Sequence, residues 1–489
     1  MNFRNFSGIK ELFFANQSTR QTIFKNTFWF YAGRGISNVS SFILMVYIAR
    51  ILGANEYGRF TFALAFVSLF GVLADLGIST ILIREFAGSK EREHEFQSLL
   101  SLKMFLGALM LMVVSIGSFF ITADPGIRKM IWILALYMLI NNGFLGMYYS
   151  FFQARQKMEY QAFSEIFLAL ATMAICFPVL FNIPSAQNLS YSYLSSTIAT
   201  LVFVSLLFHF KITPLKISWN REIYKKFLMM SWPLTFISIL NSIFTNTDSV
   251  MLGAQKQITQ GGWYNAAYRI SLMSSVFVGI VSGSFFPALS ESFKNSMEKL
   301  QRIWNYQMEV ITVLAFPLMV GGIALAAPII EFAYGHDFAP AIPAFQILMV
   351  MAGVGLLYAP FYHALIVSHE QKKSLWAVLS GVTLNVILNI ILIPRYSLYG
   401  AAIASVIGQL LIFISMFWLV VKFTPIRIYS RKFLPSFIGI CLASLIMYFT
   451  VTQPQIYRLN ALISILTGAA VYLGCFLAYK KLKDKLKIT

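Results

Sequence analysis

Between residues 27 and 479 the chain is a succession of apolar runs, nearly free of charge and separated by short polar breaks. A run of about twenty such residues is what an α-helix needs to cross a bilayer core. In hydrocarbon every backbone N–H and C=O must be paired within the protein, so repeated runs of this length dictate helices. Fourteen spans are expected, at 27–49, 60–82, 99–121, 130–151, 162–182, 191–210, 228–250, 266–287, 308–330, 342–366, 374–394, 400–421, 434–452 and 460–479. Composition agrees: 12% of residues are charged and 58% hydrophobic, whereas soluble chains carry roughly 25% charged residues. The expected fold class is an all-α polytopic membrane protein.

Charge orients the spans. The formal net charge is +19, from 38 Lys and Arg against 19 Asp and Glu. With the N-terminus inside, 29 of the 38 fall in inside segments, including Arg84, Arg155, Lys211, Lys226, Lys372, Lys432 and Lys480. Eight fall at or near the outside, and Arg34 lies within the first span. That bias fits the positive-inside rule with an even number of spans and both ends cytoplasmic. The basic balance is thus explained by topology. Nucleic acid is not an expected partner, since no aromatic-basic module lies outside the spans. Residues 1–25 lack an apolar core and a cleavage site, so the first span is expected to be its own insertion signal. Cys176, Cys441 and Cys475 sit in apolar runs and form no disulfide or zinc pattern.

Polar residues at membrane depth are costly and face an interior or a water-filled cavity. Arg34, Asn38 and Ser41 recur at i, i+4 and i+7 and share one face of the first span. The seventh span carries Ser231, Ser238, Asn241, Thr245 and Asp248 on one stripe, the fourth Tyr137, Asn141 and Tyr148, and the eleventh Gly381, Asn385 and Asn389. Ser, Thr and Asn of this kind often only join helices, at roughly 0.6 kcal/mol each. A guanidinium cannot shed its charge and has five donors to satisfy, so Arg34 stands apart. Asp248 fits an ion or proton site and equally a neutral, hydrogen-bonded carboxyl. Asp75, Glu165, Arg269 and Glu309 lie near span ends, where solvation accounts for them. Pro178, Pro233, Pro287, Pro317, Pro328 and Pro360 interrupt or bound spans, as hinges or as static kinks. The five His are scattered over loops and span ends, and no glycine-rich phosphate loop is present. Neither catalytic residues, a metal nor a cofactor is expected.

Two halves echo each other. Leu52-Gly53-Ala54 after the first span matches Leu252-Gly253-Ala254 after the seventh, and residues 153–157 match 363–373. A displacement of six spans keeps orientation, so the repeat is parallel. The expected organisation is a basic tail 1–26, a six-helix bundle 27–210, a linker 211–227, a second six-helix bundle 228–421, a loop 422–433, two further helices 434–479 and a basic tail 480–489. The tail segment 9–14 fits a helix on the membrane surface and equally a disordered tail.

Several stretches together resemble the polysaccharide-transport branch of the multidrug/oligosaccharidyl-lipid/polysaccharide flippase superfamily, which includes the O-antigen flippases. They are Ala49-Arg50-Ile51-Leu52-Gly53, Asp75-Leu76-Gly77-Ile78, Asp248-Ser249-Val250-Met251-Leu252-Gly253, Trp263-Tyr264-Asn265-Ala266-Ala267-Tyr268, Phe286-Pro287-Ala288-Leu289-Ser290, Ala327-Pro328-Ile329-Ile330, and Asn385 and Asn389 before Pro394 and Gly400-Ala401-Ala402. One departure is Ser397, where the family usually has glycine. The resemblance implies a V-shaped pair of six-helix bundles around a central cavity, with two extra helices beside it. It implies passage of an undecaprenyl-diphosphate-linked oligosaccharide from the inner to the outer leaflet of a bacterial inner membrane by alternating access, alongside a glycan polymerase and chain-length proteins. Arg34 is the leading candidate for the diphosphate, because Arg presents a fork of donors to phosphate. Arg59, Arg269, Asn38, Asn241, Asn385 and Asn389 complete the candidate substrate-binding set, and Asp248 and Asp75 the candidate ion-coupling pair. The competing readings are a multidrug antiporter of the same superfamily, usually of twelve spans, and a membrane glycan polymerase or ligase, which would carry a large outside loop.

Overall fold

The computed structural model describes residues 13–14, 16, 18–87, 93–211, 218–428, 433–457 and 460–485. Residues 9–12 of the surface segment, 212–217 of the linker, 429–432 of the second basic loop and the last four residues lie outside them, as do the counted charges Arg4, Lys90, Arg92 and Arg458. Among the described residues there are helices and short connections, and no strand.

The chain forms two compact units, Met1–Val250 and Met251–Thr489. The first contains α1 (Thr19–Gly71), α2 (Ile78–Phe86), α3 (Glu93–Ile121), α4 (Pro125–Met138), α5 (Gly146–Ala154), α6 (Met158–Asn182), α7 (Ala186–Lys211) and most of α8 (Arg221–Ala254). The second contains α9 (Ile258–Leu272), α10 (Ser275–Asn295), α11 (Met297–Ala324), α12 (Ala326–Tyr334), α13 (Ala341–Leu357), α14 (Ala359–Val367), α15 (Gln371–Phe423), α16 (Phe433–Val451), α17 (Pro454–Tyr457) and α18 (Ala461–Lys485). Twelve helical stretches among the described residues are long and apolar enough to cross a membrane. The protein is therefore a polytopic all-α membrane protein.

Twelve differs from the fourteen runs in the sequence because two pairs of runs are each one helical stretch. α1 and α15 contain 53 residues each. Straight helices of that length would extend about 80 Å, far beyond a core of about 30 Å. Each contains one residue outside helical geometry: Gly53 at φ 70°, ψ 173° in α1, and Ser397 at φ 53°, ψ −132° in α15. Glycine enters this region without a Cβ clash. Ser397 has no such freedom, and its hydroxyl donates to Gln257 Oε1 at 2.6 Å. The expected span 60–82 is also broken. Its helix stops at Gly71, a 3-10 turn covers Val72–Ala74, and Leu76 and Gly77 take φ of 46° and 70° before α2 begins.

The echo between halves is only partly structural. Gln156 and His369 both sit in the left-handed region, and in both turns the next N–H reaches five residues back, Lys157 to Phe152 and Glu370 to Leu365, each at 2.8 Å. This is the Schellman closure of a helix end. Leu52-Gly53-Ala54 and Leu252-Gly253-Ala254 share letters but not backbone. Gly53 has positive φ, whereas Gly253 is helical and the left-handed residue comes three later, at Lys256.

Burial in the first unit concentrates in an aromatic cluster of Phe86, Phe96, Tyr148, Phe151, Phe208 and Phe227. Phe96 lies 4.8 Å from Phe151 and 5.1 Å from Phe208, ring centroid to centroid. Such pairs add about 0.5–1.5 kcal/mol each beyond area burial, and they fix α2, α3, α5 and α7 to one another. In the second unit α13 packs against α11 and α15, and α16 and α18 join α11 through Ala324, Leu325, Ala443, Met447 and Tyr472. The Tyr472 hydroxyl donates to the Val313 carbonyl at 2.9 Å.

Candidate functional site

The polar stripe of the first span is present and unburied within its unit. Arg34, Asn38 and Ser41 all lie on the exposed face of α1, interleaved with exposed Tyr31, Val39 and Tyr47. The opposite face presses α6. A Cβ on Gly33 would come within 2.8 Å of the Ala162 Cα and 3.3 Å of Glu165 Oε2. The close approach at Gly33 brings α6, and with it Glu165, beside the arginine. The Arg34 guanidinium carbon sits 4.4 Å from the centre of the Phe30 ring. Among the described residues no carboxylate lies within ion-pair distance of it, although its charge acts on Glu165 from farther off. Glu165 itself accepts from Gln161 Nε2 at 2.8 Å, and Gln161 Oε1 accepts from Gln153 Nε2 at 3.0 Å. Glu165, read from sequence as a span-end residue, thus anchors a polar chain that runs from α6 to Gln153 of α5. Between α4 and α5, Leu139–Leu145 forms a π-helix carrying Asn141 and Asn142, a rare geometry that frequently marks functional positions.

The other cations of this unit are differently placed. Arg59 gives its Nη1 to Glu56 at 3.1 Å and its Nη2 to Asp124 at 2.9 Å. Asp124 also caps α4 through the N–H groups of Gly126 and Ile127, and Glu56 Oε2 receives the Ala186 N–H that opens α7 at 2.9 Å. Arg59 therefore clips α1 to the starts of α4 and α7, and two carboxylates take up its fork. Lys103, counted from sequence among solvated inside charges, lies within α3 with no exposed side-chain surface and is ion-paired to Asp75. Asp75 further accepts from the Ser79 N–H at 3.3 Å and from its hydroxyl. Asp75 and Ser79, on either side of Leu76 and Gly77, thus hold a left-handed corner in place. Lys25 is likewise buried and pairs with Glu159 at 3.0 Å.

Along α8, Asn241 and Thr245 are exposed, with the Thr245 hydroxyl donating to the Asn241 carbonyl. Asp248 is buried, at 2% exposure. Ser242 donates to the Ser68 carbonyl at 2.9 Å and Thr235 to the Leu76 carbonyl at 2.7 Å, which fastens this helix to α1 and to the left-handed corner.

In the second unit Arg269 is half-buried on α9. Asn385 and Asn389 are fully buried on α15. Asn389 Nδ2 donates to Asn385 Oδ1 at 3.2 Å, and Asn385 Nδ2 to Ser405 Oγ at 3.4 Å, which also meets the Tyr264 hydroxyl at 3.4 Å. This network joins α9 to both halves of α15. The structure thus brings Arg34 and Asn38 onto one exposed face, and leaves Arg59, Asp75, Asn385 and Asn389 engaged within their units. No group of three or more His, Cys, Asp or Glu side chains able to hold a metal occurs among the described residues.

The model of the family described as polysaccharide biosynthesis protein matches residues 23–293, which include α1 with its stripe and the Asp75 corner. The chain belongs to this family. A member-like relative, the putative O-antigen transporter of Shigella flexneri, is 22% identical over 430 residues, covering 81% of this chain and 97% of that one. In fold the chain is similar to the lipid II flippase MurJ in an inward closed conformation, with a TM-score of 0.75 at 18% identity, covering 93% of this chain and 99% of that one. It is also similar to an inward-facing multidrug resistance transporter of the MATE family, with a TM-score of 0.64 at 16% identity, covering 79% and 94%.

Proposed function

We propose that the protein is a flippase that moves an undecaprenyl-diphosphate-linked oligosaccharide from the cytoplasmic to the outer leaflet of a bacterial inner membrane, for O-antigen, capsule or related polysaccharide synthesis. It is a transporter rather than an enzyme, in keeping with its family and its fold. The observation that carries the reading is Arg34: a permanent cation on an exposed face within a membrane span, with no carboxylate within ion-pair distance among the described residues. Such a charge facing lipid tails would be strongly disfavoured. An anionic headgroup visiting a water-filled passage resolves that cost, and a diphosphate matches the guanidinium fork. Asn38, Ser41, Asn241 and Asn142 supply donors and acceptors suited to sugar hydroxyls.

Alternating access completes the proposal, with the breaks at Gly53, Ser397 and the Leu76–Gly77 corner as the places where helix segments change direction. Both chain ends are cytoplasmic in this reading, and a glycan polymerase with chain-length proteins acts on the product. Asp248 is the ion-coupling carboxylate; Asp75 takes part through the Lys103 pair it maintains. Arg269 is the secondary candidate for the headgroup; Arg59, whose fork Glu56 and Asp124 occupy, is assigned to the architecture.

Flux of the lipid-linked glycan in proteoliposomes tests this. Loss of hydrogen bonds to a charged group is worth about 1.5–3 kcal/mol, so Arg34→Ala lowers flux or affinity about 10- to 100-fold, and Arg34→Lys falls between. Full transport by both variants removes the site. Drug efflux restored by the chain in a sensitive strain, without glycan movement, would favour the antiporter reading.

A further inference from the structure

Behind the exposed stripe of α1 lies a carboxylate that the flippase reading above leaves without a task. Glu165 is half-buried on α6, the helix that packs along α1. Its Oε1 accepts from Gln161 Nε2 at 2.8 Å, and among the described residues nothing donates a hydrogen bond to its Oε2. That second oxygen stands beside Gly33, where an added Cβ would meet it at 3.3 Å. Gly33 immediately precedes Arg34, about 100° round the helix from it. With no side chain at Gly33, that position places nothing between the carboxylate and the arginine stem. The guanidinium itself leans back onto the Phe30 ring at 4.4 Å, and the two opposite charges act on each other without touching. The other acid of α6, Glu159, lies nearly two turns earlier and already holds Lys25 at 3.0 Å.

We infer that Glu165 is the internal counter-ion of Arg34, taking the guanidinium whenever no diphosphate occupies it. This role deepens the flippase function proposed above and rests on it. A carrier that delivers its cargo changes conformation once loaded and once empty. Loaded, the diphosphate compensates Arg34. Empty, the cation is left alone, and an unpaired charge at membrane depth is strongly disfavoured. Glu165 removes that cost.

The movement required is small. Arg34 is a long side chain on an exposed face, free to turn off the Phe30 ring and toward α6. Such a turn offers a donor to Oε2. Oε1 stays with Gln161, so the amides from Gln161 to Gln153 keep their bonds. Carboxylate and diphosphate then compete for one planar fork of donors, which either can engage in two parallel bonds. The competition has a sign. Glu165 weakens binding of the diphosphate, speeds its release, and lets the empty protein return.

Glu165→Gln tests this on the full chain, since it removes the charge and keeps an acceptor for Gln161. Native mass spectrometry offers parent and variant an equal mixture of undecaprenyl diphosphate and undecaprenyl alcohol. Glu165→Gln retains the diphosphate several-fold more strongly than the parent. In an Arg34→Ala background the same change alters nothing, because the cation under competition is gone. In proteoliposomes, net flux of the undecaprenyl-diphosphate-linked oligosaccharide is compared with exchange of labelled for unlabelled lipid. Exchange never requires the empty crossing, so the ratio of exchange to net flux rises several-fold in Glu165→Gln. A purely structural Glu165 would lower both rates together. Retention no stronger than the parent's, or a ratio equal to the parent's, overturns the counter-ion and leaves the Arg34 site standing. A parent that shows no preference for the diphosphate removes the Arg34 site, and the counter-ion with it.

Discussion

Arg34 and Arg59 occupy one helical stretch and have opposite surroundings. Arg59 sits between Glu56 and Asp124 and ties α1 to the starts of α4 and α7. Lys103 and Lys25, elsewhere in the same unit, are fully buried and each holds a carboxylate. Arg34 has an aromatic ring on one side and an exposed polar stripe along its helix. Arg59, Lys103 and Lys25 each meet a carboxylate that the fold supplies. In the proposed reading the anion at Arg34 is the diphosphate of the substrate. The contrast sets Arg34 apart by what surrounds it rather than by its residue type.

The contrast is sharpest at Lys103. Removing one partner of a buried ion pair costs about 3–5 kcal/mol, because the other charge is left uncompensated. Lys103→Met should therefore lower thermal stability strongly in detergent, and Asp75→Asn added to it should recover much of the loss. Equal stability of parent and Lys103→Met would show that the pair is not structural. Arg34→Ala comes next in effect, on transport alone: flux drops as stated above while the unfolding free energy stays within about 0.5 kcal/mol of the parent's. A large loss of stability there would erase the difference between the two classes of cation.

Ser397→Ala is a smaller change. It keeps the strained backbone and removes the bond to Gln257, which costs about 1 kcal/mol, whereas Ser397→Gly relieves the left-handed strain of about 1–2 kcal/mol and offsets that loss. Chemical denaturation of the two variants should rank Gly above Ala; the reverse order would mean that the break in α15 is not strained. Arg59→Ala is the mildest. Its pairs are about one-third exposed, so a loss of about 0.2–1 kcal/mol is expected, weaker still in high salt. Transport that falls with Arg59→Ala as far as with Arg34→Ala would break the comparison outright.

Fold class was legible because hydropathy is a property of runs, and runs of this length leave the backbone only helices. The Arg34–Asn38–Ser41 face was legible because helical spacing is local. What escaped is non-local or conformational. The Asp75–Lys103 pair joins residues from separate helices, and Lys103 looked like one more basic residue near a span start. Glu165 looked interfacial for the same reason, yet it heads a chain through Gln161 to Gln153. The letters of Leu52-Gly53-Ala54 recur at 252–254, but only a backbone angle reveals that the first breaks its helix and the second does not.

The most direct test is lipid retention by the intact protein. Native mass spectrometry of the parent and Arg34→Ala, each offered an equal mixture of undecaprenyl diphosphate and undecaprenyl alcohol, isolates the headgroup from the tail. Preferential retention of the diphosphate by the parent, with that preference lost in Arg34→Ala, is the predicted result. Equal preference in the two proteins would contradict the account.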